Sequence, residues 1–155
     1  KFISLHFAPY LNERVATDEQ QDAFETIIDF LDGVNIVIPD DLKEYLDDVA
    51  KTIDLVDVSK KAAASVAAAI QDPEQYLKDN REMFERYKEV KASDAYKNTP
   101  GYRLQELFAQ LNRENGYNDV FIPAMRRLSS SYREYYEKLL KANEVFLKSY
   151  RGVRF

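Results

Sequence analysis

Apolar side chains recur along this chain at steps of three and four, with polar residues filling the gaps, a spacing that predicts amphipathic helices. Thr17 followed by Gln20 has the form of a capping box, and Phe24, Ile27, Ile28 and Leu31 continue one helical run. Gly33 stands where a left-handed residue ends such a helix. Pro39 opens a second helix, with Leu42, Tyr45, Leu46, Val49, Ile53 and Val56 as its stripe. Asp40, Asp41 and Glu44 crowd its first turns, where carboxylates favour the positive end of the helix dipole.

Asp57 or Ser59 is expected to start a third helix, whose Ala62, Ala63, Ala64, Ala67, Ala68 and Ala69 permit close approach of a neighbouring backbone. Asp72-Pro73-Glu74-Gln75 combines a cap residue, a proline at the first helical position and a Gln three residues after the cap. The helix it opens runs on through Leu77, Met83, Phe84, Tyr87 and Val90. Thr99-Pro100 repeats the start signal for Leu104, Leu107, Phe108 and Leu111, and Asn115-Gly116 closes that helix.

From Pro123 onward the stripe Met125, Leu128, Tyr132, Tyr135, Leu139, Ala142 and Phe146 predicts one uninterrupted helix. About 28 residues at 1.5 Å each would measure roughly 42 Å. Residues 1–16 resist assignment: Ile3, Leu5 and Phe7 alternate like a strand, but no second alternating run exists to pair with them. The expectation is an all-α, single-domain bundle of five to six helices with a long C-terminal helix. In it, 1–16 form an arm or short helix and 17–155 the bundle.

Composition narrows the chemistry. The chain has no Cys, no Trp, four Gly and a single histidine, His6, whereas Phe and Tyr number 9 and 11. Di-iron carboxylate bundles need a Glu-x-x-His on each of two helices, which one histidine in the arm cannot supply. Nucleophilic triads fail for want of Cys and of a well-placed His, and four scattered glycines form no phosphate-cradling loop. Asp40, Glu44 and Asp48 share a helical face but lack the alternating oxygen ligands and Gly turn of a calcium loop, so they read as a solvated face. No metal, cofactor or enzymatic activity is expected.

Charge is uneven. Residues 1–75 carry a net −10 and residues 76–155 a net +5, so the acidic half can neutralise the basic one. Basic residues after Asp119, namely Arg126, Arg127, Arg133, Lys138, Lys141, Lys148, Arg151 and Arg154, interleave with Tyr as in single-strand binders. A sequence pI near 5.0 argues against nucleic acid. The longest apolar stretch is a few residues, far short of the about 20 that cross a bilayer. A chain beginning at Lys1 rather than Met implies a processed precursor or a trimmed chain; removal of a leader is one way to produce it, which slightly favours secretion while the compartment stays open.

One feature exceeds the needs of a helix seam. Beside the last stripe lie Tyr136, Leu140, Leu147 and Tyr150 in adjacent rows, giving a broad apolar face. A central helix with neighbours on both sides explains it. So does a cavity for an apolar ligand, or a patch for a partner protein anchored by Tyr and Arg. The favoured reading is a binding protein that carries an apolar or amphipathic small molecule, such as a fatty acid or other lipid, between its helices. The alternative is a secreted or surface-displayed protein-interaction module. The residues singled out are Tyr132, Tyr136, Leu140, Leu147, Arg126 and Arg133.

Overall fold

A computed structural model describes residues 6–150. The chain is all-α: no strand occurs among the described residues. Its α-helices are α1 (Asp18–Gly33), α2 (Asp40–Thr52), α3 (Leu55–Gln71), α4 (Pro73–Asp79), α5 (Arg81–Ala92), α6 (Asp94–Lys97), α7 (Pro100–Glu114), α8 (Ile122–Leu128) and α9 (Ser130–Ser149). A 3-10 turn at Ala8–Tyr10 precedes them, and a π turn at Tyr117–Phe121 leads into α8. Nine α-helices among the described residues exceed the five or six expected.

The extra elements come from breaks that the apolar spacing does not show. Asp54 caps α3 by accepting from Val56 N at 2.9 Å and Asp57 N at 3.1 Å, so the second expected helix stops at Thr52 and the third starts before Asp57. Asn80 ends α4 with both its backbone and side-chain N–H groups on the Tyr76 carbonyl, at 3.1 and 2.8 Å. Ser93 starts α6 by accepting from Tyr96 N. Gly33 does not adopt the left-handed conformation; Gly116 does, with φ 74°.

The long terminal helix is also a correction. Ser129 is extended, with φ −121° and ψ 118°, and separates α8 from α9. Three consecutive serines make this possible. Ser129 Oγ accepts from Tyr132 N at 3.1 Å, while the Glu13 carboxylate accepts from the backbone N–H groups of Ser130 and Ser131 and from the hydroxyls of Ser129, Ser130 and Ser131. A carboxylate fixed on the first amides of a helix meets both the open N–H groups and the positive dipole end.

The chain divides into two compact units, Lys1–Ile36 with Phe108–Lys138, and Val37–Leu107 with Leu139–Phe155. Helix α9 gives residues 130–138 to the first and 139–149 to the second. The Ile3 and Leu5 positions of the expected arm, like Arg151 and Arg154, lie outside the described residues.

In the first unit α1 packs on α8. Ala23 and Ile27 meet Ile122, Ala124, Met125 and Leu128, and Phe7, Phe121 and Tyr132 complete a buried cluster. The capping box at Thr17 forms as expected, and Gln20 also donates to the Leu128 carbonyl at 3.2 Å, tying the start of α1 to the end of α8. Phe7 packs edge-on against Phe121 at 5.0 Å, so the segment before α1 is part of this core.

The second unit is built on α2–α6 with parts of α7 and α9. The expected caps at Asp72 and Thr99 form, accepting from Gln75 N and Tyr102 N. Leu77, Phe84 and Tyr150 are its buried cluster, with Tyr76, Val145 and Phe146 against it. Lys91 ties α5 to α7 through Gln105 at 2.7 Å, and its ammonium sits over the rings of Tyr87 and Tyr96.

Candidate functional site

The second unit contains an apolar groove of about 200 Å³. Its floor is set by small residues: Ala69 of α3 and Ala142 of α9 are both buried, and neither side chain reaches far enough to fill the space above it. Val66, about one turn before Ala69 on α3, Ile70 next to it and Leu139 of α9 form apolar walls. Aromatic rings close one end. Phe84 lies 5.7 Å from Phe146, Tyr76 meets Phe146 edge-on at 6.3 Å, and such tilted and edge-on pairs fix ring positions.

Polar groups stand at the border only. Ser65 Oγ and Tyr76 OH share a short hydrogen bond, and the exposed Asn143 lies beside Ala142. No Asp, Glu, His, Lys or Arg lines this groove, so its walls offer burial and two or three polar contacts, not proton transfer.

A second groove of the same unit, about 310 Å³, is larger but charged. Lys78, Arg81 and Glu85 line it with Leu77, Ser149 and Tyr150. Burial pushes the Tyr150 phenol up from its ordinary range, and the nearby Glu85 carboxylate adds to this while Arg81 opposes it. Phe84 contacts Tyr150 at 5.5 Å as well as Phe146, so one ring borders the apolar groove and touches a residue of the charged one.

The six residues singled out from sequence divide between the units. Tyr132 is 2% exposed and belongs to the core of the first unit. Its ring lies 6.0 Å from that of Tyr136, which is half-buried and carries the Arg126 guanidinium at 5.1 Å from its centroid. Arg126 also approaches Glu137 at 3.9 Å, and its buried Nε has no hydrogen-bond partner among the described residues. Arg133 is exposed. Leu140 and Leu147, on the part of α9 in the second unit, are exposed at 42% and 51%. The structure thus brings Arg126, Tyr132 and Tyr136 together and leaves Arg133, Leu140 and Leu147 on the surface.

The groove uses the neighbouring row of α9, Leu139, Ala142 and Phe146, which the sequence marks as the main stripe. Its other wall is the alanine-rich helix. Of the six alanines from which a close helix approach is expected, only Ala69 is buried and lines the groove; Ala62, Ala63, Ala64, Ala67 and Ala68 are exposed.

The remaining chemistry is sparse. His6 stacks edge-on against Phe7 at 4.7 Å and Tyr135 at 6.2 Å, and burial lowers its pKa. Asp40 and Asp48 pair with Lys43 and Lys51 at 2.8 and 3.2 Å on an exposed face. Among the described residues no three His, Asp or Glu side chains gather as a metal would require, and no helix is long and apolar enough to cross a membrane.

Compared with protein-family models, with curated proteins and with solved structures, the chain finds no match in any of the three.

Proposed function

We propose that this protein binds an apolar or amphipathic small molecule, of the fatty-acid class, in the groove between α3, α4, α5 and α9. The observation that carries the reading is the groove's wall: an open trough of apolar side chains with Ala69 and Ala142, lined by no carboxylate, imidazole or cationic side chain. Filling it removes apolar surface from water, at about 25 cal/mol per Å².

Size selects the ligand. A volume of about 200 Å³ lies below the roughly 300 Å³ at which drug-sized pockets begin. That suits a single medium-length acyl tail better than a fused-ring sterol. A carboxylate head has cations to meet in the charged groove, where Lys78 and Arg81 stand near the Phe84–Tyr150 contact.

Displacement of a fluorescent fatty acid by unlabelled medium-chain acids is the test. Medium-chain acids should compete better than cholesterol, and Ala69→Phe should remove the fluorescent signal. Equal binding in wild type and Ala69→Phe would mean that the groove is not the site.

A second reading rests on Leu140 and Leu147, whose exposure suits contact with a partner protein. Because Arg126 is already held by Tyr136 and Glu137, Arg133→Glu is its cleaner charge-reversal test. Loss of partner capture with fatty-acid uptake unchanged supports this second surface, and unchanged capture removes it.

A further inference from the structure

Helix α1 has two apolar faces, and the core uses one. Ala23, Ile27 and the half-buried Phe30 face the first unit's cluster. Phe24, Ile28 and Leu31, spaced i, i+4, i+7, remain 42%, 40% and 40% exposed. A surface helix ordinarily fills such positions with polar residues, so a contiguous apolar ridge marks an interaction surface.

The charges around the ridge say what covers it. Helix α1 contains Asp18, Glu19, Asp22, Glu25, Asp29 and Asp32 and no basic residue. At about 100° per residue, Glu25, Asp29 and Asp32 fall on the flank of the ridge away from the core. Asp18 and Glu19 serve the positive end of the helix dipole. Asp29 and Asp32 do the opposite, because they stand in the last turns, where carboxylates face the negative end and the helix has no cation to balance them. None of the six enters an ion pair among the described residues. Acids held against the local dipole, beside bare apolar side chains, complement a cationic partner.

The geometry points to the Phe24–Ile28–Leu31 ridge as the docking face for a basic amphipathic helix of another protein. Apolar side chains at matching spacing lie along the ridge, and Lys or Arg on one flank meets Glu25, Asp29 and Asp32. The ridge advances about 10 Å over seven residues, two turns of a facing helix. An anionic lipid surface is repelled by the same acids. This site lies on a different unit from the apolar groove and stands independently of it.

The test uses the full chain and two synthetic helical peptides, one patterned from leucine and lysine and its counterpart with glutamate for lysine. Fluorescence anisotropy should show binding of the lysine peptide alone, weakened by added salt. Ile28→Asn with Leu31→Asn, and separately Glu25→Lys with Asp29→Lys, should each weaken it about tenfold or more, with circular dichroism unchanged because all four side chains are exposed. Asp47→Lys, which reverses an exposed carboxylate on α2, should leave binding intact. Equal weakening by Asp47→Lys would reduce the effect to net charge and overturn the proposal. So would a dimer that the double Asn variant dissolves and the lysine peptide does not displace.

Discussion

Glu13 and Ser131 are 118 positions apart, yet the Glu13 carboxylate accepts from both the backbone N–H of Ser131 at 2.9 Å and its hydroxyl at 2.8 Å. With Ser129 and Ser130 completing the ring of donors, a side chain from before α1 joins the local Ser129 cap at the start of α9. The backbone N–H and hydroxyl groups of Ser131, and then those of Ser130, hold its pKa down at about 2.

Glu13→Ala should lower stability by about 1–2 kcal/mol, the usual loss when a helix N-terminus gives up its cap. Urea unfolding followed by circular dichroism measures it. The acid dependence has a definite sign. With a folded pKa near 2 against 4.5 for the free group, the contribution is present above pH 4.5 and drains away as pH falls toward 2. Glu13→Gln should flatten the pH dependence of stability in that window; an unchanged slope would show that the serines do not stabilise the charge.

The tyrosines of the first unit set an alkaline limit. Burial raises the phenol pKa of Tyr132, and the neighbouring Tyr117, Tyr136, Tyr135 and Tyr10 raise it further; Tyr117 and Tyr135 shift the same way. Since the folded pKa exceeds the unfolded value of 10.0, this stability is intact below pH 10 and is lost as pH climbs beyond it. Tyr132→Phe should reduce the alkaline loss seen in thermal melts. A steeper loss in that variant would contradict the assignment.

Two glycines should respond oppositely to alanine. At Gly116, φ is 74° and an added Cβ would stand 3.1 Å from Val120 Cγ2, so Gly116→Ala should cost about 1–2 kcal/mol. Gly33 is helical with nothing within 4 Å of such a Cβ, and Gly33→Ala should stabilise by about 0.4–1 kcal/mol. Thermal unfolding of the two variants, compared with wild type, tests both.

These positions also show what the residues reveal before any fold is known. Starts marked by a cap residue with proline or a capping-box Gln beside it were legible: Thr17, Asp72 and Thr99 all cap as their spacing implies, whereas Asp54 and Ser93 cap equally local amides without such a companion and were not. The break at Ser129 was not, because its anchoring carboxylate comes from Glu13 and because Met125, Leu128, Tyr132 and Tyr135 keep a three-and-four rhythm straight across it. Asn80 hid for a similar reason, since its amide closes α4 without proline or glycine.

The candidate site was half legible. The alanine run of α3 implied a close helix contact, yet only Ala69 is buried and the other five face solvent; the groove takes its shape from Phe84, Phe146 and Tyr76, whose meeting no local pattern encodes. The Tyr136–Leu140–Leu147 row looked continuous by spacing. In three dimensions Tyr136 is occupied by Arg126, while Leu140 and Leu147 meet solvent.

Native mass spectrometry of the protein after incubation with a medium-chain fatty acid tests the central claim most directly. The groove predicts one ligand mass per chain in wild type and none in Ala142→Phe, whose ring would fill the trough from α9. An adduct that persists in Ala142→Phe, or a wild-type chain that takes up no fatty acid, would contradict it.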